Sequence, residues 1–252
     1  MKKNNILNCS LVNITNRELL QCLTRGILYT PNIDHFVLLQ TDHEFYHAYK
    51  NADYVTLDSQ IVYFLSKVSG RPFQEKIAGS DFFPLFCEYH KNNPRIKIFV
   101  LGGLDGVSGK VKKILNTRIG REIIVDAYSP GLDFEKDEIE CKAIIERINN
   151  SVANVLVVGL GTPKQEKWIY RYKSKLPAID IFMGVGATLD FIAGKQRRAP
   201  VFLQKVGLEW AFRLIQHPRK FMYRYLIRDV SFFYYFLLDR LKLYKNPFAE
   251  LE

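Results

Sequence analysis

Three polar residues follow the first two predicted strands, and their types suit proton transfer. Thr30 and Asn32 close an apolar run that begins at Ile27, and Asp58 follows a second run at residues 54–57. A carboxylate at the edge of a sheet can take a proton from an attacking hydroxyl if it lies within hydrogen-bond reach. The alternative is local structure, with Asp58 capping a helix and Asn32 forming an Asx turn. Composition alone favours capping.

A glycine pair after another apolar run is typical of a phosphate-binding turn. Gly102 and Gly103 begin the sequence GGLDG, and a helix is predicted directly after it. This order places backbone N–H groups and a helix N-terminus near a bound phosphate. Asp126 lies 20 residues after Gly106, where a ribose-binding carboxylate would stand. Leu101 takes the place of the first glycine of GxGxxG, so a tight turn that merely requires glycine remains the alternative.

Two further apolar runs, at residues 155–160 and 179–185, are also broken by glycines and followed by polar residues. Glycine permits close approach of a ligand, and the Gln165 amide can both donate to and accept from a sugar hydroxyl or phosphate. A plain strand-to-helix turn with a solvated face at residues 164–167 is the weaker alternative. The candidate residues are Gly159, Gly161, Pro163, Gln165, Gly184 and Gly186.

Most of the excess positive charge lies near the C-terminus. The net charge is +10, and the last 58 residues hold 12 Lys/Arg and 5 Asp/Glu, a net +7. Arginines there alternate with aromatic residues, which predicts an anionic partner: nucleic acid, a membrane face or a phosphorylated substrate. A packed helix with a solvated basic side is the alternative. The arginines concerned are Arg197, Arg198, Arg213, Arg219, Arg224 and Arg228.

Several classes of protein are disfavoured by composition. The four cysteines are scattered without a CxxC pair, which argues against a disulfide framework or zinc site and for a cytosolic protein. The five histidines are also dispersed, so no metal site is predicted. The N-terminus lacks a continuous signal-peptide core, and the best candidate span, residues 230–238, is too short to cross a membrane.

The elements that must position these residues alternate between strand and helix. This order predicts an α/β fold with a Rossmann-like, mainly parallel sheet and flanking helices. Composition becomes basic and aromatic around residues 194–200. We therefore predict a core at residues 1–194 and a basic helical appendage at residues 195–252, with helices at 201–216 and 219–242.

Four motifs in order resemble the WecG/TagA/CpsF family of bacterial glycosyltransferases (glycosyltransferase family 26). The motifs are GLGTPKQEKW at 159–168, GVGATLDFIAG at 184–194, RAP at 198–200 and GLEWAFRL at 207–214. The resemblance extends from Thr30 to about Arg228. It implies inverting, metal-independent and cofactor-free transfer of a sugar from a UDP-sugar to a polyprenyl-diphosphate-linked sugar. It also implies a peripheral location on the inner, anionic face of the bacterial membrane, and it allows a homo-oligomer.

The resemblance also implies roles for individual residues. Asp58 matches the proposed catalytic base, with Thr30 and Asn32 beside it. Gln165 matches an amide thought to contact the donor. The glycine turns would meet the nucleotide, and the C-terminal arginines Arg213, Arg219 and Arg224 match residues proposed to meet the lipid diphosphate. Lys76 and Arg198 are further candidate substrate-binding cations.

Three positions depart from the family pattern. Ser59 and Ala187 stand where members usually carry glycine, and Lys76 stands where arginine is frequent, which removes a forked contact to phosphate. The donor sugar therefore stays open between N-acetylmannosamine, glucose and related hexoses. Two rival interpretations are a nucleic-acid-binding protein without enzymatic activity and an NAD-dependent dehydrogenase. The glycine turns argue against the first, and the missing first glycine argues against the second.

Overall fold

The computed structural model describes residues 1–251, and its centre is a six-stranded parallel sheet. A separate antiparallel hairpin of β1 (Lys3–Ile6) and β2 (Cys9–Val12), which the sequence did not predict, precedes it. The sheet strands are β3 (Gly26–Tyr29), β4 (Tyr54–Val55), β5 (Ile98–Gly102), β6 (Ile124–Tyr128), β7 (Val155–Gly159) and β8 (Ile181–Gly184). Their spatial order is β4-β3-β8-β7-β5-β6. The predicted α/β class with a mainly parallel sheet is confirmed.

Helices connect the strands, as parallel pairing requires. They are α1 (Asn16–Cys22), α2 (Ile33–Thr41), α3 (His43–Lys50), α4 (Gln60–Val68), α5 (Gly79–Tyr89), α6 (Val107–Ile119), α7 (Glu138–Asn150), α8 (Lys164–Tyr172) and α9 (Thr188–Ile192). The single helix that helical spacing predicts over residues 34–51 is divided into α2 and α3 at Asp42. The Asp42 side chain accepts from the backbone N–H of Phe45 and so caps α3.

The central strands are apolar on both faces because helices pack on both. Phe99 and Leu101 belong to one buried cluster, whereas Ile98 and Val100 of the same strand belong to the other. This alternation follows from the two-residue repeat of a strand. It explains why these strands appear in the sequence as continuous apolar runs.

The C-terminal part, which we call the appendage, is more broken than the two predicted helices. Its helices are α10 (Val201–Lys205), α11 (Glu209–Gln216), α12 (Pro218–Tyr223) and α13 (Ser231–Arg240), with a π-helical turn at Arg224–Arg228. Gly207 has a φ of +83°, a left-handed conformation that separates α10 from α11. Pro218 begins α12, where a missing N–H carries no penalty. Glu252, the last residue of the predicted appendage, lies outside the described residues.

The appendage packs against the core through α2. Phe232 is fully buried and belongs to the main apolar cluster, with its ring centroid 5.6 Å from that of Phe36. Further along, the Tyr244 hydroxyl donates to Oε1 of Gln40 at 2.6 Å. Among the described residues, no helix combines the length and apolar character needed to cross a membrane.

Candidate functional site

A cleft of about 810 Å³ opens where the strands of the parallel sheet end. Turns that follow β3, β4, β5, β7 and β8 line one part of it, and side chains of the appendage line another. Of the predicted site residues, the cleft brings together Thr30, Asn32, Asp58, Lys76, Gly103, Gly159, Gly161, Gln165, Gly186, Arg213 and Arg224. Those that do not line it are Gly102, Asp126, Pro163, Gly184, Arg198 and Arg219.

Asp58 lines the cleft, and its carboxylate does not cap the helix that follows. Ser59 supplies the cap of α4 instead, because its Oγ accepts from the backbone N–H of Val62 at 3.3 Å. The capping interpretation of Asp58 is therefore wrong. Burial raises the pKa of Asp58 to about 8, against the lowering effect of the nearby Lys76 ammonium. A carboxylate with such a pKa is suited to accept a proton near neutral pH.

Asn32 has the capping role that composition favoured, together with a further contact. Its Oδ1 accepts from the backbone N–H of Asp34 at 3.1 Å at the start of α2. The same oxygen lies 2.9 Å from Nδ1 of His35 and accepts from Nη2 of Arg224 at 3.2 Å. Thr30 is buried in the turn just before it. Asn32 thus joins the turn after β3 to the appendage.

A buried polar network connects three of the strand-end turns. Gln165 Oε1 accepts from the backbone N–H of Gly186 at 2.9 Å, and Gln165 Nε2 donates to Oε1 of Glu166 at 2.8 Å. The same Glu166 oxygen lies 3.3 Å from Nε2 of His35, which in turn is 2.7 Å from the Thr162 hydroxyl. Gln165 and Glu166 are 3% and 1% exposed, so the solvated-face alternative is wrong for both. The Gln165 amide organises the turns rather than reaching freely into the cleft.

The glycines fall into two groups with different physical reasons. A Cβ on Gly102 would lie 2.4 Å from the carbonyl oxygen of Gly159, and one on Gly103 would lie 2.4 Å from Cγ1 of Val107. These glycines permit close packing of β5. Gly161 and Gly186 have φ of +77° and +55°, and a Cβ on either would meet nothing within 4 Å. Both line the cleft, so these two leave room for a ligand.

Some of the basic side chains pair with carboxylates of the protein, and others do not. Arg198 forms a two-pronged ion pair with Asp81, and Arg224 Nε lies 3.2 Å from the Asp34 carboxylate. Arg219 is exposed outside the cleft. Lys76, Arg213 and Lys220 line the cleft, and in residues 1–251 none of the three forms an ion pair with a carboxylate. Arg213 Nε is buried without a hydrogen-bond partner in the same range.

Asp126 lies elsewhere than the ribose-binding prediction requires. It sits within β6 and pairs with Arg147 through two hydrogen bonds of 2.8 Å each, which hold the pKa of Asp126 below its usual range. Its carboxylate faces the next helix and not the cleft. Pro163 is the N-cap residue of α8, one position before the first helical turn in which proline is favoured.

Several site residues were missed by sequence reasoning. The sequence predicts no specific role for His35 or Glu166, and the only available signal is their closeness to Asn32 and Gln165. Glu209 and Trp210 lie within the GLEW motif and line the cleft. Asp34 and Asp229 are buried beside Arg224 and Arg228. In residues 1–251, no three His, Cys, Asp or Glu side chains are grouped so that they could hold a metal ion.

Comparison with known proteins gives consistent matches. Residues 4–246 match the glycosyl transferase WecG/TagA/CpsF family. Three relatives share the name N-acetylglucosaminyldiphosphoundecaprenol N-acetyl-beta-D-mannosaminyltransferase. The protein from Bacillus spizizenii W23 is 30% identical over 171 residues, covering 68% of this chain and 63% of the relative. That from Bacillus subtilis 168 is 29% identical over 178 residues, covering 70% and 66%.

The third relative, from Staphylococcus aureus MRSA252, is 27% identical over 180 residues, covering 69% of this chain and 66% of its own. The chain therefore spans slightly less than two thirds of the length of each relative.

Proposed function

The chain belongs to the glycosyl transferase WecG/TagA/CpsF family, and we propose on this basis that it transfers a hexose from a UDP-sugar to a sugar on a polyprenyl diphosphate. N-acetylmannosamine is the first donor sugar to consider, because the relatives carry it in their names. The product would serve bacterial teichoic acid or surface polysaccharide synthesis. The observation that carries the proposal is Asp58, a half-buried carboxylate with a pKa raised to about 8 in a cleft that also holds Lys76, Arg213 and Lys220.

The proposed step is an inverting displacement. The acceptor hydroxyl attacks the anomeric carbon from the face opposite the leaving group, and the new C–O bond forms as the bond to the UDP oxygen breaks. The electron pair of the broken bond leaves with UDP, and the hydroxyl proton passes to Asp58. Burial raises the basicity of this carboxylate, which favours proton transfer in the transition state.

The leaving diphosphate gains negative charge, so cationic groups must stabilise it. Lys76 is suitable because it lines the cleft near Asp58 and, within residues 1–251, forms no ion pair with a carboxylate. The open turns at Gly161 and Gly186 leave space for the donor. Arg198 and Arg224, by contrast, already neutralise buried or half-buried carboxylates. We therefore assign them to structure and not to the phosphates.

The appendage presents an apolar and basic surface suited to a membrane that carries the acceptor. Phe202, Ile215, Ile227 and Leu243 are each at least 62% exposed. Lys205, Arg213, Arg228 and Lys242 lie close to them in the sequence. An apolar and basic surface binds an anionic leaflet by burial of apolar groups and by charge. The protein would then act peripherally on the cytoplasmic face. Co-sedimentation with anionic but not zwitterionic vesicles is the expected result.

The test is a UDP-release screen over several UDP-sugars with a lipid-diphosphate sugar as acceptor, with and without EDTA. We expect release that depends on the acceptor, persists in EDTA and disappears in Asp58→Asn. Mass spectrometry of the product should show one added sugar residue, an N-acetylhexosamine if the donor carries N-acetylmannosamine. Acceptor-dependent release at wild-type rate in Asp58→Asn would remove Asp58 as the base, and no release with any donor would contradict the transferase itself.

The basic C-terminal composition, which supported the rival function of nucleic-acid binding, is partly neutralised within the protein. Arg198, Arg224 and Arg228 are paired with acidic side chains within the protein. Steeply salt-dependent binding to oligonucleotides without any response to UDP-sugars would favour it nonetheless.

A further inference from the structure

A row of aromatic rings from the appendage lines the cleft. The Trp210 and Tyr225 centroids are 6.1 Å apart and meet edge to face, whereas Tyr225 and Phe221 stack at 5.1 Å with only 10° between their planes. All three line the cleft. Phe221 is 2% exposed, whereas Trp210 and Tyr225 are both half-buried. Trp210 is the terminal ring of the row, at the end opposite Phe221.

Trp210 lies close to the segment that carries Asp58. A Cβ on Gly207 would be 3.4 Å from Cγ1 of Ile61 and 3.7 Å from Cγ of Gln60, so the start of α11 packs on the start of α4. Asp58 and Ser59 come immediately before this contact, and Glu209 and Trp210 come immediately after it. Asp58, Glu209 and Trp210 consequently face one cleft.

The opposite end of the row is cationic. The Arg213 guanidinium is 4.7 Å from the Phe221 ring centroid, and the Lys220 ammonium is 5.5 Å from it. The cleft therefore runs from a carboxylate base, along an aromatic wall, to two positive charges. A sugar attached to a diphosphate has the matching order of groups: a hydroxyl, a ring and two phosphates.

A pyranose ring suits an aromatic wall for a simple reason. One face of the ring carries C–H bonds with little polarity, and these meet the electron-rich face of an indole while water is excluded from both. The hydroxyl and amide groups at the ring edge still need hydrogen-bond partners. Glu209 adjoins Trp210 and is half-buried, with its nearest cation, Arg198 Nε, 4.0 Å away.

We propose that Trp210 is the platform for the acceptor sugar, with Glu209 accepting a hydrogen bond from a hydroxyl or amide N–H of that same sugar. This assignment rests on the proposed transferase function and specifies its acceptor site. It places the attacked hydroxyl toward Asp58 and the acceptor diphosphate toward Arg213 and Lys220. The uracil base of the donor is the alternative ligand for the Trp210 ring. The acceptor and donor KM values distinguish the acceptor sugar from uracil.

The experiment measures both Michaelis constants with a short-chain, water-soluble lipid-diphosphate sugar and the donor that supports turnover. Trp210→Ala should raise the acceptor KM about tenfold or more, which corresponds to ~1.4 kcal/mol. The donor KM and the Kd for UDP should stay within about twofold. Trp210→Phe, which retains a flat ring, should keep most of the acceptor affinity, whereas Trp210→Leu should not.

Tyr223→Ala is the matched control, because Tyr223 is 65% exposed in the same segment and does not line the cleft. It should leave both constants unchanged. If Trp210→Ala does not fold, the Phe and Leu variants decide. An unchanged acceptor KM overturns the proposal, and so does a raised donor KM, which would assign the platform to uracil. Absence of turnover in the wild type contradicts the transferase function and the acceptor assignment together.

Discussion

Arg224 of the appendage donates a hydrogen bond from Nη2 to Oδ1 of Asn32, the residue that caps α2 at the edge of the cleft, across 3.2 Å. Its Nε also lies 3.2 Å from the Asp34 carboxylate, which is 1% exposed. Arg228 pairs with the same carboxylate. The appendage is therefore held to the core by buried charges immediately beside the candidate catalytic residues.

Loss of Arg224 should loosen the appendage and reduce activity together. Arg224→Ala leaves Asp34 with one cation instead of two, and breaking a buried pair in this way costs about 3 kcal/mol. We expect a lower Tm, faster proteolysis within residues 195–251 and a fall in kcat. Arg224→Lys should not restore kcat, since a single ammonium cannot reproduce the forked contact to Asp34 and Asn32.

The control for this prediction is Arg219→Ala, which removes the same charge from an exposed position outside the cleft. It should change neither Tm nor kcat when the acceptor is water-soluble. Equal losses in both variants would mean that net charge, and not the contact with Asn32 and Asp34, is responsible.

The pH dependence of turnover should report Asp58. Because its pKa is raised to about 8, the base is mostly protonated at pH 6, and kcat/KM should rise about tenfold per pH unit below the pKa and level off above it. Lys76 lowers this pKa. Lys76→Met should therefore move the inflection to higher pH, and an inflection that moves down or stays fixed contradicts the arrangement.

Asp58→Asn should stabilise the fold as it abolishes turnover. Between about pH 4 and 8 the folded protein keeps a proton on Asp58, whereas the unfolded chain releases it. The free energy of unfolding therefore falls as pH rises through this range. Because asparagine does not titrate, the Asp58→Asn variant lacks this loss of stability with rising pH. The Tm advantage of the variant should grow from pH 5 to pH 8 and reach ~3 °C or more. Thermal melts across this range provide the check, and a constant Tm difference would disprove it.

Substitutions of Gln165 and Glu166 should have strongly non-additive effects on the free energy of unfolding. Gln165→Glu places two carboxylates side by side in a buried network and should cost about 3 kcal/mol in stability. Adding Glu166→Gln exchanges the two groups, so that a carboxylate can accept from Gly186 N–H and from the new amide. Denaturant unfolding of the four variants should give a coupling energy above ~1 kcal/mol. Additive losses would show that the two side chains act separately.

Much of the fold was predictable because the patterns that define it are local. Residues 155–158 and 98–101 are continuous apolar runs, and a strand buried on both faces requires this. The division of the predicted helix at Asp42, where a side-chain cap starts a new helix, and the π-helical turn at Arg224–Arg228 were not predicted, because helical spacing of apolar residues does not report either feature.

The candidate site was predictable only in part. The turns after parallel strands share one edge of the sheet, so the sequence by itself indicated that Thr30 and Asp58 could face the same cleft. It could not decide which polar groups are free for a ligand. That depends on partners far apart in the chain: Glu166 for Gln165, Arg147 for Asp126, Asp34 for Arg224.

The tertiary structure decided these pairings because burial removes water as the alternative partner. A buried charge or amide must be satisfied by whatever group the fold brings to it. The sequence determined the strands, their turns and the basic C-terminal composition, since each depends on residues within a few positions. Which arginines pair with buried carboxylates, and that Asp58 is a half-buried carboxylate with a raised pKa, follow only from packing in three dimensions.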